Sequence, residues 1–150
     1  MNVLLIDDDA YDAFEVTSRI KSLRSDALVV HASSSEDALE EISSHKSSFF
    51  DVIFVDQHMP GKLGTDLCLQ LKQLYVEGSP PLILLTSDGT DTTRSKALAN
   101  DCDGFLTKPA DNNRLRKLLD GKRCHWNLAD LPSDLDLYRS FLQSRDLASA

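Results

Sequence analysis

The sequence predicts an α/β sandwich, a parallel sheet of five short strands covered by helices on both faces. Three observations carry this. Continuous apolar runs recur along the chain, "VLLI", "ALVV", "VIFV", "LILL" and "GFL", and runs that do not alternate with polar residues fit strands buried on both faces. The segments between them have the length of helical crossovers. Cap and turn residues stand at the joints. Together they give five strand–helix units over residues 1 to about 121, and right-handed crossovers then place helices on both sides of the sheet.

Taken in order, Val3 to Ile6 is the first strand, and Asp9 is placed to cap a helix from Tyr11 to Leu23. Ala27 to Val30 is the second strand; "SSSEDAL" follows as a cap region, opening a helix from Glu36 to His45. Val52 to Val55 is the third and most hydrophobic strand. After it "MPG" turns the chain, with Pro60 fixing φ and Gly61 free to adopt a conformation other residues resist. The third helix runs from Thr65 to Tyr75 and "EGSPP" closes it. Leu82 to Leu85, a helix from Asp91 to Asn100, Gly104 to Leu106 and a helix from Asn112 to Leu119 complete the pattern.

Composition narrows the function classes. At 150 residues the chain holds one ordinary domain plus a short extension. The division expected is 1–121 for the domain and 122–150 for a C-terminal extension. With 24 acidic against 16 basic residues, net charge −8, there is no basic footprint for nucleic-acid phosphates or an anionic membrane surface. Cys68, Cys102 and Cys124 are odd in number and widely spaced, without a C-x-x-C pair, and read as reduced small hydrophobes. No apolar run approaches membrane-span length, and Met1 leads at once into a strand-like segment. The expectation is a soluble, cytoplasmic protein.

In open sheets of this type ligands sit at the carboxyl ends of the strands, where strand order reverses. Asp7, Asp8 and Asp9 follow the first strand, Asp56 the third, Thr86 and Ser87 the fourth, and Lys108 the fifth. A flavodoxin-like order, 2-1-3-4-5, makes strands one and three neighbours and gathers Asp7, Asp8 and Asp56. Three converging carboxylates repel one another unless a cation shares the site. Magnesium suits them, since it favours oxygen ligands and commonly joins one or two carboxylates to a phosphate oxygen. A carboxylate can also attack phosphorus and form an aspartyl phosphate. Lys108 and Thr86 would add an ammonium and a hydroxyl to neutralise and position the phosphoryl group.

The ordered motifs "LLIDDD", "VIFVDQHMPG", "LILLTSDG" and "GFLTKP" resemble the receiver domain of two-component response regulators, including the chemotaxis response regulator, over about residues 1 to 120. The resemblance implies a switch rather than a turnover enzyme: a domain that takes a phosphoryl group from a histidine kinase or a histidine phosphotransfer protein, with Mg2+ as cofactor. It makes Asp56 the phosphoacceptor, Asp7 and Asp8 the acidic pocket, and the backbone carbonyl of His58 a further metal ligand. It makes Thr86 the hydroxyl that meets the phosphoryl group, Lys108 its cationic partner and Phe105 an aromatic switch. Gly61 and Gly64 fit the loop after the acceptor.

Each acid alone has a bland reading, because Asp is common at strand ends and helix caps; the convergence of Asp7, Asp8, Asp56, Thr86 and Lys108 does not. Asp9 is left as a cap. The ring of His58 is expected to be exposed beside the acceptor, and His31, His45 and His125 read as ordinary surface or strand-end residues. The rival reading is a phosphatase resembling the haloacid dehalogenase superfamily, with Asp7 as nucleophile in a D-x-D pattern completed by Asp9, then Thr86 and Lys108. It leaves "DQHMPG" unexplained and lacks later paired acids. A receiver serving as a regulatory module of a larger effector is the other alternative. Beyond residue 121, Pro132, Ser133 and Asp136 make a capping-box-like start. Leu135, Leu137, Tyr138, Phe141 and Leu142 then share one side of a helix, suited to local docking, a homodimer contact or a link to an effector domain.

Overall fold

The computed structural model describes residues 1–87, 90–109 and 111–120. Five principal strands alternate with five helices: β1 (Asn2–Ile6), α1 (Ala10–Leu23), β2 (Leu28–Ala32), α2 (Ser35–Ser43), β3 (Val52–Asp56), then a small ribbon of β4 (His58–Met59) and β5 (Lys62–Leu63). They are followed by α3 (Gly64–Leu74), β6 (Leu82–Thr86), α4 (Asp91–Ala99), β7 (Gly104–Thr107) and α5 (Asn112–Asp120). The sheet order is β2-β1-β3-β6-β7, all parallel. That is the predicted 2-1-3-4-5 order, with β6 and β7 as its fourth and fifth strands.

The aliphatic runs become strands because both their faces are covered. Every residue of β3 and of β6 is buried, and Leu4, Leu5, Ile53, Phe54, Leu84 and Phe105 lie at the centre of the core. With this order, right-handed crossovers set α1 on one face and α2, α3 and α4 on the other, while α5 packs against α1. Asp9 caps α1 as expected: its Oδ1 accepts from the backbone N–H of Tyr11 at 2.9 Å and Asp12 at 3.1 Å, an arrangement worth about 1 kcal/mol. Ser34 does the same for α2 through Asp37 N–H at 3.0 Å.

β2 departs from its expected bounds. It begins at Leu28 and extends through His31 to Ala32. As an edge strand with a single neighbour it is only partly buried, so its register follows pairing with β1 and its apolar run is a poor guide to its ends. Cys124 and the expected extension, including Ser133 to Gln143, lie outside the described residues. Cys68 and Cys102 are buried free thiols; their mutual hydrogen bond, then burial, push the Cys68 thiol up, which keeps it an inert small hydrophobe. Among the described residues no helix is long and apolar enough to cross a membrane.

Two glycines shape the turn that leaves β3. Gly61 has φ +78 and closes the β4–β5 ribbon, where Met59 pairs with Lys62. Gly64 is needed for closeness: a Cβ there would lie 2.3 Å from the Asp56 carbonyl oxygen and 2.9 Å from Gln57 Cα, both backbone atoms. Gly64→Ala is therefore expected to cost about 1–3 kcal/mol through overpacking, read as a lower midpoint in chemical unfolding. A midpoint equal to wild type would mean that α3 can slide without disturbing the end of β3.

Candidate functional site

The site lies at the carboxyl edge of the sheet, where β1, β3, β6 and β7 end side by side. Asp7 is the first residue past β1 and is fully buried. Asp56 is the last residue of β3 and is 6% exposed; Asp8 is exposed at the mouth. One carboxylate oxygen from each of the three lies within 4.8 Å of the others. The predicted convergence of Asp7, Asp8 and Asp56 is thus found.

Lys108 reaches this cluster from the far side of the sheet. Its backbone N–H donates to the Thr86 carbonyl at 2.7 Å, carrying the β6–β7 pairing one residue past β7. Its Nζ lies 2.9 Å from Asp56 Oδ1, 3.1 Å from Asp7 Oδ2 and 3.3 Å from Asp12 Oδ2. Asp7 Oδ1 accepts from Asp9 N–H at 3.0 Å, so both its carboxylate oxygens are engaged.

The charges set the protonation balance. Burial pushes the Asp56 carboxyl above its ordinary value, and the neighbouring charges of Asp7 and Asp8 push the same way; Lys108 opposes them through its hydrogen bond and charge without cancelling them. For Lys108, burial works to lower the pKa, but Asp56 and Asp7 outweigh it and the ammonium is held above its ordinary range. One ammonium therefore does not satisfy the acids that share it. The donor set is all carboxylate oxygen with surplus negative charge, which fits a hard divalent cation such as magnesium.

Thr86 ends β6, one residue past Leu85, the register partner of Asp56, and is fully buried. Phe105 lies in β7 opposite Leu84 and is also fully buried. His58 sits in β4, two residues after Asp56, and is exposed as expected. His45 is an ordinary residue of its region, its ring stacked on Phe49 with centroids 4.0 Å apart.

Three residues near the site carry contacts that sequence reasoning did not foresee. Asp12, in the first turn of α1, is a third anion on Lys108. Gln57 is buried, and its Oε1 accepts from the Thr65 N–H at 2.9 Å, holding the start of α3 against the end of β3. His31, read as an ordinary strand-end residue, places Nε2 2.8 Å from the Asp7 carbonyl oxygen. The sequence offers no spacing signal for any of them, because their partners are distant in the chain or are backbone atoms.

Residues 3–120 match the family described as the response regulator receiver domain. The chain is 32% identical over 133 residues to the transcriptional regulatory protein CpxR of Klebsiella pneumoniae, covering 83% of this chain and 51% of that protein. It is 31% identical over 131 residues to CpxR of Escherichia coli strain K12, with the same two coverages. The chain thus spans about half the length of these curated relatives. Among solved structures, the signal receiver domain of a DNA-binding response regulator from Colwellia psychrerythraea superposes with a TM-score of 0.71 at 25% identity, covering 80% of this chain and 95% of that one. The receiver domain of Saccharomyces cerevisiae Ssk1, solved with the histidine phosphotransfer protein Ypd1, shares the fold at a TM-score of 0.70 and 19% identity, covering 83% and 89%.

Proposed function

Because the chain belongs to the response regulator receiver domain family, we propose that Asp56 is its phosphoacceptor, with Asp7 and Asp8 as the acids of a magnesium site. The observation that supports this most strongly is the position of Asp56: a buried carboxylate at the end of the central strand, beside two further acids and 2.9 Å from an ammonium. A carboxylate oxygen of Asp56 attacks the phosphorus of a phosphohistidine; the new O–P bond forms as the N–P bond breaks and the imidazole leaves. Lys108 neutralises charge on the transferred oxygens, and the Thr86 hydroxyl donates to one of them. Magnesium, when bound, would supply charge neutralisation on the phosphoryl group, and the backbone carbonyl of His58 would be a further oxygen ligand beside Asp7, Asp8 and Asp56.

The protein acts as a switch. The phosphorylated state is the one in which Thr86 is drawn toward the phosphoryl group and Phe105 repacks beside it, so that phosphorylation shifts a population between two packings. Slow self-dephosphorylation resets it. The donor is a histidine kinase or phosphotransfer protein, as in the Ypd1–Ssk1 pair. A surface for it adjoins the site, a groove of about 300 Å³ lined by Asp12, Val16, Ser87 and Lys108, on the helix that also exposes Tyr11 and Phe14 at 75% and 71%. Residues 1–121 form the receiver and 122–150 an extension toward an effector domain or a second copy, in a cytoplasmic protein.

The phosphatase reading finds less support. Asp7 would be its nucleophile, yet Asp7 is fully buried with both oxygens bonded, and Asp9, its second acid, caps α1. Incubation with magnesium and acetyl phosphate, borohydride trapping and peptide mapping test the choice. Label on Asp56 is expected; label on Asp7 would install the rival. Asp8→Ala is expected to weaken magnesium binding at least tenfold, since it removes a ligand and a charge. Unchanged affinity by calorimetry would remove Asp8 from the metal site.

A further inference from the structure

We propose that His31 is a positioning residue for the acid pair Asp7–Asp8, its ring Nε2–H standing in for a ladder donor that β2 no longer provides. This rests on the reading above that these acids hold the cation. β1 and β2 pair in register through Leu5 with His31 and Ile6 with Ala32. The pairing continues one step further, with the Asp7 N–H donating to the Ala32 carbonyl at 3.0 Å. In a parallel ladder the carbonyl of that same residue accepts from the neighbour strand two residues beyond the acceptor, which here is Ser34. But β2 ends at Ala32, where Ser34 begins the cap of α2, and the backbone bonds of the described residues include no Ser34 N–H on the Asp7 carbonyl.

The ring of His31 meets the Asp7 carbonyl instead, with Nε2 2.8 Å from the oxygen. A carbonyl has no hydrogen to give, so Nε2 carries the proton in this contact. The oxygen it holds belongs to the Asp7–Asp8 peptide, and fixing that peptide plane fixes the direction in which Asp8 leaves the strand. On the other side of the turn, Asp9 N–H is tied to Asp7 Oδ1 at 3.0 Å. Asp8 is exposed, yet its carboxylate converges on Asp7 and Asp56 to within 4.8 Å. The two hydrogen bonds flanking it perform that orientation. An exposed histidine that merely covered the edge of β2 would act through its ring; a positioning histidine acts through its donor.

Two variants separate these roles. His31→Gln keeps an N–H donor the same number of bonds from Cα, while His31→Phe keeps a ring and removes the donor. Magnesium is titrated calorimetrically into the full chain and each variant, and the backbone amide of Asp8 is followed by NMR with and without metal. His31→Phe is expected to weaken magnesium binding about fivefold and to move the metal-free Asp8 amide; His31→Gln is expected to stay within about twofold with the amide in place. Wild-type affinity and an unmoved amide in His31→Phe would overturn the proposal, as would equal losses in both variants. A wild-type chain that bound no magnesium would remove the cation reading itself, and the metal-free Asp8 amide would then decide the positioning role alone.

Discussion

Replacing Asp56 by asparagine is expected to abolish labelling by acetyl phosphate entirely and, without metal, to raise the thermal midpoint of the chain. The first effect follows because an amide oxygen is too weak a nucleophile to form the acyl phosphate. The second follows from the electrostatics of the site. Burial, then the charges of Asp7 and Asp8, raise the Asp56 pKa against the opposing pull of Lys108. A carboxyl with a higher pKa in the folded than in the unfolded state binds more protons when folded. Its contribution to stability is therefore fully present below the unfolded pKa and is lost as pH rises through the folded one. The asparagine side chain cannot ionise, so the advantage of the variant should be absent at low pH. It should grow through the window above the ordinary carboxylate value of 3.8 and then level off. Magnesium should reverse the order, stabilising wild type by mass action and the variant far less. Melting curves across pH, with and without magnesium, read all of this. Retained label in the variant would move the acceptor elsewhere; a midpoint difference that ignored pH would show that ionised Asp56 is not strained in the fold.

Much of this site is written in strand ends. An aspartate ending a run such as "VIFVD" says little alone, but once β1 and β3 are neighbours in the sheet their ends bring Asp7, Asp8 and Asp56 to one edge. Lys108 was legible for the same reason, as the residue after a short buried strand. Asp12 was not, because an acid in the first turn of a helix already has an explanation in the helix dipole; its ion pair joins residues 96 apart. His31 was hidden differently. Its partner is a backbone carbonyl, which leaves no mark in side-chain patterns, and it lies in an edge strand whose half-buried residues blur the apolar run. Gln57 reads as a linker between a strand and a turn, yet its side chain is buried because α3 starts within reach of it. The β4–β5 ribbon has two residues per strand, too few for any periodicity to show.

Lys108→Ala is the sharpest test of how the site couples binding to signalling, because the cation serves the acids in one state and the phosphoryl group in the other. Without metal, its removal leaves Asp7 and Asp56 buried beside each other with no counter-charge. Breaking such a pair costs about 3 kcal/mol, moderated by further protonation of Asp56, whose carboxyl is already raised. Magnesium binding should tighten several-fold, since the ion no longer competes with an ammonium 2.9 Å from Asp56 and 3.1 Å from Asp7. The signal should be lost in return. Lys108 sits at the end of β7, its backbone bonded to Thr86 and three residues beyond Phe105. An ammonium drawn onto a phosphoryl oxygen therefore pulls on the strand that carries the proposed aromatic switch. The variant should bind beryllofluoride with magnesium, yet fail to show the amide shifts along β6 and β7 that wild type shows. Weaker magnesium binding in Lys108→Ala would mean that the lysine organises the acids rather than competing for them. A full set of shifts would mean that Thr86 transmits the change without it.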